Sequence, residues 1–127
     1  MKTNAEVVQD FYAALGVGNA DVALALLADD VEWTTMWHYQ VRGRGPQRVA
    51  EDLLVPIMQE WNDVSFKASR YIVDGNTVVS IGRFTAVHIK SGKPVNARYA
   101  HVWNVVEGRI TSFDQFIDTL AVAQARQ

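Results

Sequence analysis

Apolar positions near the start of the chain recur at helical spacing. Ala5, Val8, Phe11, Tyr12 and Leu15 fall on one face, and Gly16 closes the run. Thr3 followed by Glu6 has the spacing of a capping box, in which each side chain bonds the other's backbone N–H. After the tight link GVGN, Asn19 is placed to cap a second short helix, Ala20 to Leu27. The pattern then changes. From Val31 to Val41 β-branched and aromatic residues predict extended chain, closed by RGRG. Pro46 suits the first turn of a third helix, in which Val49, Leu53, Ile57 and Trp61 repeat every four residues. Pro56 lies inside that helix without a backbone N–H, so a kink or split is expected near Asp52–Leu54.

From Val64 onward the pattern is strand. The segments Val64–Val73, Thr77–Ile89, Lys93–Val106 and Ile110–Ile117 are separated by DGN, SG and EG, which predicts a four-stranded antiparallel meander. Helices followed by a meander give an α+β domain, with two or three helices packed on a curved antiparallel sheet. Turn length then decides which side chains share a face. A three-residue loop, Lys90-Ser91-Gly92, puts Phe84 opposite Arg98; a two-residue Glu107-Gly108 turn puts Gln115 opposite Ala100 and Ile117 opposite Arg98. On this register Gly82, Phe84, Ala86, His88, Arg98, Ala100, Val102, Phe113, Gln115 and Ile117 form one face. Its small residues predict a hollow that takes a ligand. The other face carries Ile81, Arg83, Thr85, Val87, Tyr99, His101, Trp103, Asp114 and Phe116. It is too aromatic to stand in water, and a second subunit is expected to cover it.

Composition removes several alternatives. The 127 residues suffice for one domain over 1–127, and a net charge of −2 attracts neither nucleic acid nor an anionic membrane. The longest wholly apolar run, Val22 to Ala28, is far too short to span a bilayer. The start of the chain has no apolar signal core, so a cytoplasmic location is expected. There is no cysteine, hence no disulfide, thiolate metal site or cysteine nucleophile. No helical His-x-x-x-His spacing and no phosphate loop with its lysine occurs, so neither metal nor cofactor is expected.

The opening VVQDFYAALGVGNADVALALLADDVEW and the closing AHVWNVVEGRITSFDQFIDT resemble the nuclear-transport-factor-2-like superfamily, and within it the SnoaL-like, ketosteroid-isomerase-related proteins. The resemblance implies a cone-shaped, cystatin-like fold, a pocket between sheet and helices, and a homodimer across the outer sheet face. It also shows what is missing. The oxyanion tyrosine of the steroid isomerases falls at Phe11, with Tyr12 one step round the helix; their aspartate base falls near Thr35 and their protonated aspartate near Ala100. The arginine and aspartate of limonene epoxide hydrolases fall at Gly82 and Phe84. The late-strand aspartate of SnoaL-type cyclases corresponds to Asp118 or Asp114.

Each candidate has a plain structural alternative. Asp118 either caps the helix TLAVAQA or pairs with Arg98, which needs a partner if it faces a cavity. His38, between Trp37 and Tyr39, is a general base at the pocket mouth or a solvent-edge histidine. His101 opposite Asp114 reads as a cross-strand pair on the outer face. Asp118 and His38 are thus the proton-transfer candidates and Arg98 and Gln115 the polar anchors. Tyr12, Trp33, Thr35, Trp61, Phe84 and Ala100 are the expected pocket wall. Arg83, Tyr99, His101, Trp103 and Asp114 are the expected dimer surface. Two functions stay open: cofactor-free acid–base catalysis (isomerase, cyclase or hydrolase) on a small apolar or amphipathic molecule, or non-catalytic ligand binding on a dimeric scaffold.

Overall fold

The computed structural model describes residues 2–127. The capping box forms, with Thr3 N–H donating to Glu6 Oε1 at 2.9 Å and Glu6 N–H to Thr3 Oγ1 at 3.2 Å. It starts α1 (Asn4–Gly16), which buries Val7, Val8, Phe11 and Ala14. Asn19 caps α2 (Ala20–Ala25) through the N–H of Val22. That helix stops short of Leu27, because Leu27 opens a strand, β1 (Leu27–Thr34). The extended stretch predicted from Val31 is therefore strand only to Thr34, and irregular chain follows to Gly45.

Pro56 bends the third helical run without breaking it. α3 (Pro46–Val49) passes into a π-helical turn, Ala50–Leu54, and then into α4 (Val55–Glu60). Val55 N–H reaches back five residues to the Ala50 carbonyl. The wider turn absorbs the donor that proline lacks and the room its ring needs. The meander follows as β2 (Trp61–Asp74), β3 (Thr77–His88), β4 (Pro94–Val106) and β5 (Arg109–Ile117), and α5 (Thr119–Ala125) closes the chain. β1 adds a fifth strand, parallel to β5, giving the order β1-β5-β4-β3-β2 in a curved, unclosed sheet. No helix among the described residues is long and apolar enough to cross a membrane.

The register corrects the expected faces in one strand. The loop after β3 has four residues, not three: His88 N–H bonds the Lys93 carbonyl at 2.9 Å, and Phe84 pairs with Ala97 instead of Arg98. This one-residue slip turns the whole of β4 over. Ala97, Tyr99, His101, Trp103 and Val105 point into the core, while Arg98 is exposed and Ala100 and Val102 lie on the outer side. The Glu107-Gly108 turn forms as expected, with both residues at positive φ (52° and 78°). A bulge at Thr111 then shifts β5 by one residue, so that Phe113 pairs with Trp103 and Gln115 with His101. The two shifts cancel for β5, and Phe113 and Gln115 face inward as predicted.

Candidate functional site

The helices and the concave side of the sheet enclose an aromatic inner chamber of about 40 Å³. Phe11 and Tyr12 of α1, Trp33 of β1, His101 and Trp103 of β4 and Gln115 of β5 all border it. Trp37, from the chain after β1, is the other polar-tipped ring on its wall. Tyr12, Leu15, Leu54, Ile57 and Phe66 also line a larger groove of about 460 Å³, which runs past Gly16, Gly18 and Met58. Chamber and groove thus share one wall, as an inner end and an outer mouth. Asp and Glu are absent from both linings.

One polar chain crosses this aromatic core. Trp103 Nε1 lies 2.9 Å from Ser80 Oγ, Ser80 Oγ lies 2.8 Å from Tyr12 Oη, and Tyr12 Oη lies 2.6 Å from His101 Nδ1. An indole N–H can only donate, so Ser80 accepts from Trp103. Every proton in the chain finds an acceptor only if Ser80 then donates to Tyr12 and Tyr12 to Nδ1. That order leaves the imidazole proton on Nε2. Burial holds His101 well below its ordinary value of 6.5 and lifts the Tyr12 phenol far above its own, so the histidine is neutral and the tyrosine protonated. His101 stacks on Tyr99 with ring centroids 3.9 Å apart, and it is 2 % exposed. Its Nε2 has no hydrogen-bond partner among the described residues, and the same holds for the buried Nε1 atoms of Trp33 and Trp37 and the Tyr99 hydroxyl.

The buried imidazole has a consequence for stability. Its proton affinity is lower folded than unfolded, so its contribution is complete above pH 6.5 and falls as pH drops below that value. The slope is about 1.4 kcal/mol per pH unit for each such group. Urea unfolding between about pH 7 and pH 5 is expected to show this loss, and His101→Gln is expected to remove one proton's worth of it. An unchanged slope in the variant would contradict the buried neutral state.

A second cluster sits at the end of α4. Glu60 Oε1 accepts from His38 Nε2 at 2.7 Å and from the Tyr39 hydroxyl; Oε2 accepts from His88 Nε2 at 2.9 Å and Arg126 Nε at 2.8 Å. Burial by itself would raise the Glu60 carboxyl. The hydrogen bonds from Arg126, Tyr39, His38 and His88 outweigh it and hold the group far below the carboxylate range. His88 Nδ1 accepts the backbone N–H of Ser91, so its proton is on Nε2 and the neutral ring suffices. His88, at the end of β3, is buried in this network. Trp61 joins it by donating to Tyr39 Oη at 3.0 Å, and the Thr35 hydroxyl donates to the Tyr39 carbonyl. Thr35, His38 and Trp61 therefore fix the segment that carries Trp37 and do not line the chamber. His38 is half-buried, and burial lowers its pKa.

The expected residues divide accordingly. The structure brings Tyr12, Trp33 and Gln115 to the chamber. Phe84 is buried beneath Trp37, Phe66 and Trp61, one layer behind the wall. Arg98 and Ala100 leave the pocket altogether, because the slip in β4 turns them outward. Tyr99, His101 and Trp103 leave the expected dimer surface for the same reason, whereas Arg83 and Asp114 stay on the outer side. Asp118 is exposed and its Oδ1 accepts the N–H of Ala121 at 3.1 Å, so it caps α5. Its only tie to Arg98 is a backbone bond, Asp118 N–H to the Arg98 carbonyl at 2.9 Å. Asp118→Ala is expected to cost about 1 kcal/mol in thermal unfolding and Asp118→Asn much less, since asparagine caps equally well. Turn length concealed His101; Ser80 already has the inner parity of β3, and Glu60, at the end of α4, carried no sequence signal that set it apart. Among the described residues no cluster of three or more His, Cys, Asp or Glu is arranged to hold a metal.

A family model described as a SnoaL-like domain matches residues 8–113. Among solved structures, an NTF2-like protein from Burkholderia thailandensis is 34% identical, with a TM-score of 0.93 over 100% of this chain and 99% of that one. A candidate SnoaL-like polyketide cyclase from Jannaschia sp. is 20% identical, with a TM-score of 0.81 over 96% and 90% of the two chains. IdmH, a candidate polyketide cyclase from Streptomyces antibioticus, is 15% identical, with a TM-score of 0.84 over 97% and 98%. The last two share the fold. No curated protein sequence matches the chain.

Proposed function

The chain belongs to the SnoaL-like domain family, and on that premise we propose that it binds a small, largely apolar molecule in the cone and moves or polarises a proton on it through His101. The chemistry is cofactor-free and of the isomerase or cyclase type. One observation carries the reading: a buried neutral imidazole on a residue of the chamber wall, whose Nδ1 is held by Tyr12 and whose Nε2 has no partner among the described residues. Such an N–H can donate to an oxygen on which charge develops, in a site without water to compete. The groove would take the apolar body, the chamber the reacting end. A second reading is non-catalytic binding, and the absence of any carboxylate from both linings favours it, since no strong base stands ready.

A ligand and turnover screen with wild type, His101→Gln and Tyr12→Phe separates the readings. If a bound molecule is turned over, His101→Gln is expected to lose on the order of a hundredfold in rate while still binding it. Unchanged turnover in that variant would remove His101 from the chemistry. Binding without any turnover would leave the second reading.

A second copy of the chain is proposed to cover the outer sheet face. Ile81, Ala100 and Phe116 stand in one row across β3, β4 and β5, and Phe116 is 51% exposed. Such a row suits a self-complementary contact. Sedimentation at micromolar concentration is expected to give a dimer mass for the wild type and a monomer for Phe116→Asp. A monomeric wild type would exclude the contact.

A further inference from the structure

We infer that Trp37 is a gate over an aromatic compartment: the tip of the loop that carries it swings outward, and a flat, two-ring aromatic molecule takes the place of its indole. This rests on the proposal that the cone binds a small apolar molecule, and it adds where the wall opens and which class of ligand fits there.

The chamber as it stands is too small to take a ring. Its volume of about 40 Å³ is room for about three waters, so a wall must move before a ring-sized ligand enters. Most of the wall stands on strands or on the helical runs, where backbone ladders hold it. Among the described residues of the wall, Trp37 alone stands on irregular chain. Its loop is pinned at the base and lightly tied at the tip. At the base the Thr35 hydroxyl donates to the Tyr39 carbonyl, and Glu60 and Trp61 hold the Tyr39 hydroxyl. At the tip Met36 N–H reaches Gln115 Oε1 only at 3.3 Å, beyond the usual range. The other two ties come from side chains that reach the surface: His38 Nε2 to Glu60 at 2.7 Å, and Gln40 Nε2 to the Trp37 carbonyl at 2.8 Å.

Two features of Trp37 favour the exchange. Its buried Nε1–H has no hydrogen-bond partner among the described residues, so the closed position carries the cost of an unsatisfied donor. Swung outward, the same N–H meets water. The space left behind is lined for an aromatic guest. The indole meets Tyr39, Phe66 and Phe84 edge to face, with ring centroids 5.1, 6.3 and 5.4 Å away and planes at 85°, 73° and 85°. Phe84 is wholly buried and Phe66 stacks on it at 4.9 Å, so these rings keep their places when Trp37 leaves. A flat aromatic molecule restores all three contacts; a saturated one of the same outline fills the volume without them. The ligand competes with the indole for one seat. Weakening the tip therefore raises the share of open molecules and tightens binding.

The test uses 2-naphthol and its saturated counterpart, 2-decalol, titrated by calorimetry into the wild type, His38→Ala and Trp37→Ala. Nitrogen-edited proton NMR follows the Trp37 indole N–H, whose signal is assigned by its loss in Trp37→Phe. The wild type is expected to bind 2-naphthol about tenfold more tightly than 2-decalol. On binding, the Trp37 N–H should pass from slow to rapid exchange with water. His38→Ala loosens only the tip, so it should bind 2-naphthol several-fold more tightly, through faster association at unchanged dissociation. A merely structural histidine would weaken binding when removed. Trp37→Ala leaves the compartment open and should bind tightest; if it does not fold, the wild type and His38→Ala still decide. Bound 2-naphthol with a protected Trp37 N–H would overturn the gate while leaving the cone a binding site. Equal affinities for the two probes, or weaker binding in His38→Ala, would also overturn it, as would binding by Trp37→Ala alone. Failure of every protein to bind either probe would sink the binding proposal itself.

Discussion

Gly82→Ala is expected to lower the free energy of unfolding by roughly 3 kcal/mol or more, the size of a severe overpacking in a core that cannot yield. Glycine here is a matter of space and not of φ. A Cβ at position 82 would stand 2.1 Å from the Lys67 carbonyl oxygen and 2.7 Å from the Ala68 Cα. Both are backbone atoms of the paired strand β2, so no side-chain rotation relieves the clash. The close approach arises where the β2–β3 register shifts between Ala68 and Arg70, a bulge that bends the sheet. The small residue expected to hollow out the pocket therefore serves the curvature that makes a pocket possible. Chemical denaturation checks the value, and a loss under about 1 kcal/mol would mean that the bulge can relax.

The second large effect belongs to Glu60. Glu60→Ala is expected to destabilise the fold by roughly 3 kcal/mol, because it strands several donors at once. His38, Tyr39, His88 and Arg126 all lose their acceptor, and the Tyr39–Trp61 bond loses its anchor. These groups come from the segment after β1, the end of β3 and the residue after α5, so Glu60 joins parts that no strand pairing connects. Trp37 sits in the first of those segments, and ligand affinity should fall along with stability. The carboxyl of Glu60 is held below its ordinary value of 4.5, so its contribution is complete above that pH and lost progressively below it. Acid unfolding of the wild type should therefore steepen below about pH 4.5, and the Glu60→Ala variant should lack that limb. An acid limb that survives in the variant would assign it to other carboxylates.

Local rules placed most of the elements. The capping box at Thr3, the Asn19 cap, the Pro46 helix start and the Glu107-Gly108 turn each rest on neighbours within a few residues, and all of them form. Pro56 was legible as a disturbance, and only its form, a π turn instead of a break, needed the structure. Face assignment went wrong in β4 because it leaned on loop length, where one residue inverts a strand. The strand carried a better signal of its own. Asn96, Arg98 and Asn104 share one parity, and Val95, Ala97, Tyr99, Trp103 and Val105 share the other. Burying the second set gains far more than a favoured loop conformation does, so burial set the register.

The sequence by itself determined the order of helices and strands, the α+β class and the aromatic stock of the core, because periodicity and capping act over a few residues. Only the tertiary structure decided that β1 joins as a fifth strand, that a bulge restores β5, and that His101 faces inward while Arg98 does not. Those outcomes depend on residues far apart in the chain, such as Tyr12, Ser80 and His101, whose hydrogen bonds exist only once helix and sheet have met.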